Sequence, residues 1–224
     1  DFKFIIFHHN YEPEYAIGSK SILSLYGRTG IFVKKWERKA YINAELNLFI
    51  TPEDKDIFER EYGQRNNNFV IGMFEPYATS IEKPKEKFDN SVAITCSLSA
   101  KQNLLSLRRF KDRYLRIFHS VLPSWDLKLM GRNPSEEIIN WGKQYSYVEI
   151  FPNPGNIGDL SSLSSIYLCQ MDAGGGLKLR IMDGLRNGQP ILTHKVSARG
   201  YNEFFGTPFF KIYNDEETFK RGLN

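Results

Sequence analysis

Three consecutive glycines, Gly174, Gly175 and Gly176, stand in the middle of residues 170–193, which read QMDAGGGLKLRIMDGLRNGQPILT. Glycine runs cost backbone entropy, so they occur where the backbone turns sharply or approaches another group closely. The apolar residues after the triplet recur at helical spacing and predict a helix over 177–187. We therefore predict that the triplet lies at a helix N-terminus, where unpaired amide groups and the helix dipole favour anions.

Two cations and one acid accompany this predicted helix start. Lys178 and Arg180 fall in its first turn, where acids are usually preferred, so an anionic ligand would balance them. Asp183 lies about two turns beyond Gly176 on the same helix face, with its side chain tilted back toward the helix start. A carboxylate at that place suits the two hydroxyl donors of a ribose. A solvated helix face explains the same charges, and this alternative stays open.

Two further loops follow predicted strands and carry polar groups. The segment CSLSAKQN contains Ser97, Ser99, Lys101 and Asn103 at the start of a helix, and GRNPSEE places Arg132 directly after a strand. Hydroxyl, amide and cationic groups at such places bind phosphate oxygens. Ordinary turn chemistry accounts for each loop taken alone. Three such loops on one sheet favour a ligand.

A histidine pair ends the first predicted strand, in FIIFHHNYEPEY. His8 and His9 stand at its carboxyl end, where His9 would face a cleft or simply mark a polar strand exit. A metal site is not expected, because His119 and His194 have no Cys or carboxylate beside them at ligand spacing. The sequence contains no G-x-S-x-G elbow, no P-loop and no G-x-G-x-x-G after the first strand.

Composition narrows the class of protein. The 224 residues carry a formal charge of +4 and are 41% hydrophobic and 14% aromatic, enough for one or two ordinary cores. The diffuse positive excess suits anionic small molecules or membrane surfaces, and no long basic run favours nucleic acid. Cys96 and Cys169 lie in apolar strand-like runs, as expected for free thiols. Because a strand begins at the first residues, we expect the sequence to be a piece of a longer chain.

The order of predicted elements indicates an α/β protein. The first part of the sequence predicts the order strand, helix, strand, helix and short strand, followed by a charged, proline-containing segment. Thr51 caps the second of these helices and Pro52 takes its first position. Beyond that segment, short continuous apolar runs alternate with helices, which predicts parallel strands covered on both faces. We predict a first domain at 1–78, a linker at 79–90 and a second domain at 91–224.

These motifs, in this order, resemble a GT-B glycosyltransferase of the large retaining, nucleotide-sugar-dependent family 4 type, also called group 1. The similar segments are FHHNYEPEY, ERKAYINAELNLFITPEDKDIFEREYG, NFVIGMFEP, ITCSLSAKQNLLSLRRF and LKLMGRNP. Most specific is GGGLKLRIMDGLRNGQPILTHKVSARGY, which is similar to the family's glycine loop and following helix. The family carries two acids eight residues apart; here Asp183 takes the second position and Gly175 the first.

The resemblance implies a fold and a set of roles. The fold would be of GT-B type, with a Rossmann-like parallel sheet flanked by helices and part of a second Rossmann-like domain on the acceptor side. Asp183 would bind the ribose of the donor. Eight further residues would contact the donor: Ser97, Lys101, Arg132, Gly174, Gly175, Gly176, Leu177 and Lys178. His9, with His8 as second candidate, would be catalytic in the cleft between the domains.

The implied activity is transfer of a sugar from a nucleoside-diphosphate sugar to a saccharide or lipid-linked acceptor in cell-surface polysaccharide synthesis. The resemblance further implies retention of configuration, no metal and no cofactor, because cations and helix amides can stabilise the leaving diphosphate. A cytoplasmic location follows, with peripheral association at the inner membrane face left open, and no nucleic-acid partner. A GT-B nucleotide-sugar epimerase and a non-catalytic nucleotide-binding relative remain as alternatives.

Overall fold

The structure is a computed structural model that describes residues 3–14, 26–73 and 87–224, with the backbone alone for 26–31. It contains two compact units. The first comprises the described residues up to Met73 together with Ala173–Leu177 and Arg199–Asn202. The second comprises the described residues from Lys87 to Asp172, Lys178–Ala198 and Glu203–Asn224.

The first unit is built on a parallel sheet of three described strands: β1 (Ile5–His8), β2 (Leu46–Phe49) and β3 (Asn68–Val70), in that spatial order. Helix α1 (Tyr26–Asn43) connects β1 to β2, and α2 (Pro52–Tyr62) connects β2 to β3. The cap predicted for α2 is confirmed: Thr51 Oγ1 accepts from the Asp54 amide, and Gly63 ends the helix at φ 98°. The first unit therefore repeats a strand–helix step, as the sequence predicts.

The core of the first unit is aromatic. Tyr41 from α1, Phe49 from β2 and Phe58 from α2 are fully buried. Their rings pack against one another, with centroids 5.1 Å apart for Phe49 and Phe58 and 5.6 Å apart for Tyr41 and Phe58. Such pairs stabilise beyond the apolar area they bury. The aromatic core fixes the strand exits of this small sheet.

The second unit has a parallel sheet of six described strands, β4 (Phe88–Thr95), β5 (Asp126–Gly131), β6 (Val148–Pro152), β7 (Ser164–Cys169), β8 (Ile191–His194) and β9 (Phe210–Tyr213). Their spatial order is β6-β5-β4-β7-β8-β9. This is the doubly wound order, whose direction reverses between β4 and β7, and ligands bind such sheets beyond the carboxyl ends of the strands at that reversal. The predicted parallel α/β sheet is confirmed.

Helices connect the strands of the second unit. They are α3 (Lys101–Phe110), continued through a π-helical turn (Lys111–Leu115) into α4 (Arg116–Val121), then α5 (Glu136–Gln144), α6 (Ile157–Ser162), α7 (Arg180–Arg186) and α8 (Glu216–Leu223). The core combines strand residues such as Ile94 and Leu129 with helix residues such as Phe110 and Phe219. Cys96 and Cys169 are buried free thiols within this unit.

Two local features differ from the sequence-based expectations. Strand β4 begins at Phe88, inside the segment predicted as the linker, whose earlier residues 79–86 lie outside the described part of the chain. Helix α7 begins at Arg180 rather than at Leu177 and is seven residues long. Across the described residues, no helix has the length and apolar character needed to cross a membrane.

Candidate functional site

The glycine loop, Ala173–Leu177, packs within the first unit against the exit of β1. An added Cβ on Gly176 would lie 2.8 Å from the His9 carbonyl oxygen and 3.1 Å from Asn10 Cβ, closer than real side chains pack. Gly176 also has φ +72°, a conformation that side chains with a Cβ rarely adopt. Close backbone approach and a left-handed turn therefore both require glycine here. The loop does not directly abut a helix N-terminus, because Lys178 and Leu179 precede α7.

The two predicted catalytic histidines have opposite environments. His9 is exposed, and its ring contacts Phe7 edge-on at 5.0 Å between centroids. His8, one residue earlier in the pleat, is buried, stacks on Phe49 at 4.7 Å and lies 2.9 Å from Asn47 Oδ1 through Nε2. Burial lowers the pKa of His8, so its ring is neutral near pH 7. Of the pair, His9 is the one that can reach a ligand.

A buried acid connects α2 to the glycine loop. The Asp54 side chain is fully buried, and its carboxylate accepts hydrogen bonds from Thr51 Oγ1 at 2.5 Å and from the Gly176 amide. Arg199 Nη1 lies 3.2 Å from Asp54 Oδ1 and 2.9 Å from Glu14 Oε2. Burial raises the pKa of Asp54, while the Thr51 hydrogen bond, the Arg199 charge and the Gly176 amide oppose that shift. The loop is thus held by a charged network.

An apolar groove of about 580 Å³ begins at the same strand exit. Its walls come from Phe7 of β1 and from Phe32 and Trp36 of α1, with Trp36 64% exposed. His9 and Glu37 add polar groups to the lining. The groove therefore offers aromatic faces together with hydrogen-bonding groups, a combination that suits a carbohydrate ring or an amphiphilic chain.

The Glu37 carboxyl in this groove is a weaker acid than an ordinary glutamate. Burial raises its pKa to about 7, although the Tyr62 hydroxyl and the Glu12 amide both donate to it, at 2.7 and 3.0 Å. Hydrogen bonds to a carboxylate favour the charged form, so desolvation is the larger effect here. Glu37 can exchange a proton near neutral pH.

In the second unit, the loop after β4 has the polar groups predicted from the sequence. Ser97 Oγ and Ser99 Oγ are 3.5 Å apart, and Asn103 Nδ2 donates to the Ser97 carbonyl at 2.9 Å. Lys101 begins α3 and is exposed. The cap residue, Ala100, makes no side-chain hydrogen bond to the first amide groups of this helix. These amide groups face the loop. Lys101 forms no ion pair with another described residue.

The loop after β5 lies directly beside the loop after β4. An added Cβ on Gly131 would overlap the Cys96 carbonyl oxygen at 1.7 Å, so only glycine permits this approach. The Leu98 amide donates to the Arg132 carbonyl at 2.9 Å, which connects the two loops. Arg132 itself is exposed, and no ion pair joins it to any residue in the described ranges. The structure thus brings Ser97, Lys101 and Arg132 to adjacent loops of one sheet.

Asp183 lies in the middle of α7. Its side chain is 41% exposed, and Arg186 Nη1 lies 3.8 Å from Asp183 Oδ1. At that distance and exposure the ion pair contributes little to stability. Lys178 precedes the helix and is half-buried.

Sequence reasoning did not single out Glu14, Asp54 and Arg199, which form the charged network beside the glycine loop. The Thr51 cap identified Asp54 as a helix-start residue, but no pattern connected it to a loop more than a hundred residues away. Arg199 and Glu14 lie within segments that carry the family resemblance, but no pattern marked these two residues themselves. Among the described residues, no group of three or more His, Cys, Asp or Glu side chains could hold a metal ion.

Comparisons with known proteins show likeness in structure alone. No protein-family model matches the sequence, and no curated protein matches it significantly. Similar solved structures include the pneumococcal O-GlcNAc transferase GtfA in complex with UDP and GlcNAc, with a TM-score of 0.59 and 13% identity over 99% of this chain and 44% of that one. Anabaena HepE in complex with UDP gives a TM-score of 0.64 and 14% identity over 99% of this chain and 62% of that one.

A third similar structure is a mutant of S. aureus TarM in complex with fondaparinux, alpha-GlcNAc-glycerol and UDP, with a TM-score of 0.67 and 9% identity over 99% of this chain. The chain spans 44% and 62% of the length of the GtfA and HepE chains and 43% of this TarM chain. At these identities the likeness shows the fold. The chain has the GT-B fold, with parallel Rossmann-like sheets flanked by helices.

Proposed function

We propose that this protein is a glycosyltransferase that transfers a sugar from a nucleoside-diphosphate sugar to a saccharide or lipid-linked acceptor, in the synthesis of a cell-surface polysaccharide. One observation carries the proposal: the glycine loop lies against the His9 strand exit, with the Gly176 Cβ position 2.8 Å from the His9 carbonyl oxygen. Two motifs that lie far apart in the sequence are thus in direct contact. The fold and the UDP complexes of GtfA and HepE are in keeping with it.

Each unit, taken by itself, has candidate donor contacts in this proposal. In the first unit, the backbone of Gly174–Gly176 offers close approach to the diphosphate. In the second unit, Lys101 and the amide groups at the start of α3 provide positive potential, with Arg132 on the adjacent loop. Asp183 accepts the ribose hydroxyls. Lys101 and Arg132 also stabilise the negative charge that grows as the nucleoside diphosphate departs.

The acceptor occupies the groove beside His9 in this proposal. Trp36 and Phe32 provide faces on which a sugar ring stacks, and His9 lies at the end of the groove that meets the glycine loop. If the acceptor is lipid-linked, the reaction takes place at the inner face of the membrane. The cations of the donor site perform the role that a metal would otherwise have, and we propose retention of the anomeric configuration.

The test is a screen of nucleotide sugars with saccharide and lipid-linked acceptors, which follows release of nucleoside diphosphate and the mass of the product. The proposal is supported if wild type transfers the sugar and His9→Ala does so at least tenfold more slowly with unchanged donor affinity. His119→Ala is the matched control, because that ring stacks on Tyr147 in the second unit at 3.9 Å. NMR of the product reports the anomeric configuration, and assays with a chelator report metal dependence.

Three outcomes would contradict the proposal. Formation of a new sugar from donor in the absence of acceptor would indicate an epimerase. Donor binding without turnover over the whole acceptor panel would indicate a non-catalytic relative. Failure of every nucleotide sugar and nucleoside diphosphate to bind would remove the donor site altogether.

A further inference from the structure

The position beside Gly175 is occupied by an acid from a distant part of the chain. An added Cβ on Gly175 would lie 3.2 Å from Glu14 Oε2 and 3.4 Å from Arg199 Nη1. Unlike Gly174 and Gly176, Gly175 has no positive φ, so its backbone conformation does not demand glycine. The place that a side chain at position 175 would take is instead filled by neighbours, among them the Glu14 carboxylate.

Glu14 is held there by a chain of charges that runs outward from the core. The Asp54 side chain is fully buried, the Arg199 side chain is 17% exposed and the Glu14 side chain is 35% exposed. Arg199 Nη1 bridges the two carboxylates, at 3.2 Å to Asp54 Oδ1 and 2.9 Å to Glu14 Oε2. Because Asp54 fixes the guanidinium, Arg199 can hold Glu14 in one orientation.

Only one oxygen of Glu14 takes part in this bridge. Arg199 Nη1 binds Oε2 at 2.9 Å, so this ion pair does not use the other oxygen, Oε1. A partly exposed carboxylate can accept hydrogen bonds from hydroxyl groups of a ligand. The loop it borders is the one whose backbone the proposed function assigns to the donor.

We propose that Glu14 is a donor-sugar contact: Oε1 accepts hydrogen bonds from hydroxyl groups of the transferred sugar, while Arg199, anchored by Asp54, positions the carboxylate through Oε2. This inference rests on the proposed function. Glu14 thereby provides, from the exit of β1, the carboxylate that the sequence lacks at position 175. Arg199 and Asp54 are positioning residues that do not touch the sugar themselves.

The distinguishing property is selectivity for the sugar over the rest of the donor. A contact with sugar hydroxyls strengthens binding of the nucleotide sugar and leaves binding of the free nucleoside diphosphate unchanged. A purely structural ion pair that shapes the glycine loop would affect both ligands together. Comparing the two affinities in one variant therefore separates the roles.

The experiment titrates wild type and Glu14→Gln with UDP-glucose, UDP-GlcNAc and UDP by calorimetry. Glu14→Gln should weaken binding of the preferred nucleotide sugar about ten- to a hundredfold and leave UDP affinity within about twofold, because a charge-assisted hydrogen bond is lost. Glu12→Gln is the matched control, since it removes an exposed acid from the same helical turn. Arg199→Lys should give a smaller loss in the same direction.

A second variant, in which the carboxylate is moved to position 175, shows whether a loss in Glu14→Gln comes from a folding defect. Glu14→Ala combined with Gly175→Glu places a carboxylate on the loop itself, in the space that Glu14 vacates. Recovery of nucleotide-sugar affinity relative to Glu14→Ala alone supports the proposal. Gly175→Glu in the presence of Glu14 should bind worse, because two carboxylates then share one site.

Equal affinity of wild type and Glu14→Gln for the nucleotide sugar would overturn the inference and leave the proposed function intact. A parallel loss for nucleotide sugar and UDP, with no recovery in the relocation variant, would make Glu14 a loop-shaping residue and would overturn it as well. If wild type binds none of the three probes, the proposed donor itself is wrong.

Discussion

His8 Nε2 and Asn47 Oδ1 lie 2.9 Å apart inside the aromatic core of the first unit, while the neighbouring His9 is exposed. Asn47 is itself fully buried and donates through Nδ2 to the Tyr41 carbonyl and to Asn68 Oδ1, both at 3.1 Å. His8 is thus one member of a satisfied polar network among aromatic rings. The neutral His8 ring contributes to the stability of the core, whereas His9 lies at the surface.

His8→Ala should therefore destabilise the protein without a specific effect on donor binding. The change leaves a cavity against Phe49 and Phe58 and removes one partner of Asn47, with an expected loss of about 2–4 kcal/mol. Urea unfolding of the variant measures this loss. His9→Ala should change stability by less than about 0.5 kcal/mol. An equal effect of the two substitutions would contradict the assignment of one ring to the core and one to the surface.

Gly176→Ala should impair donor binding more than φ strain alone explains. Gly188 makes a matched control: it has φ +66°, close to the +72° of Gly176, but no atom lies within 4 Å of its added Cβ. Gly188→Ala should cost about 1 kcal/mol in stability and leave donor affinity unchanged. Gly176→Ala also meets the His9 carbonyl oxygen, so the loop must shift. Titration with UDP compares the two, and equal affinities would show that the loop does not contact the diphosphate.

Asp183→Ala should weaken binding of a nucleoside diphosphate about ten- to a hundredfold, because charge-assisted hydrogen bonds to the ribose are lost. The fold should be unaffected, since the residue is 41% exposed and its pair with Arg186 spans 3.8 Å. Asp112→Ala, a change at a more exposed acid with a lysine 3.9 Å away, is the control. Calorimetry measures the affinity of both variants for the nucleoside diphosphate. If both bind it as tightly as wild type does, Asp183 is not part of the site.

Glu37 should make stability depend on pH in the direction opposite to most acids. Burial raises the pKa of its carboxyl from 4.5 to about 7, so between these values the folded state holds a proton that the unfolded state has released. The contribution of Glu37 is therefore fully present below about pH 4.5, falls as pH rises, and is lost above about pH 7.

Glu37→Gln removes this titration, because the amide stays neutral. Relative to wild type, the variant should gain stability on the order of 1–2 kcal/mol between pH 5 and 8, a figure reduced for partial exposure. Thermal unfolding of both proteins across that pH range measures the difference. Asp56→Asn, at an exposed acid of α2, is the matched control for removal of one negative charge. A constant difference between wild type and Glu37→Gln would mean that the carboxyl is already ionised at pH 5.

The sequence by itself determined the local elements and the fold class. The α2 helix follows from Thr51, Pro52 and Gly63, because capping hydrogen bonds and a left-handed C-terminal residue are local interactions. Continuous apolar strands indicated a sheet covered on both faces, which the parallel register confirms. The glycine triplet was recognisable as a close-approach loop for the same reason: backbone conformation and the cost of glycine belong to the residues themselves.

The tertiary structure decided which side chains act together. His8 is the last residue of β1 and His9 follows it directly, but only the packing of Phe49 and Phe58 decides that His8 is the buried one. Likewise, no local pattern places Glu14 beside Gly175, since Arg199 and Asp54 reach that point from other segments. Hydrogen bonds and ion pairs between distant residues depend on a folded backbone that brings them within about 3 Å, and spacing along the chain does not encode that distance.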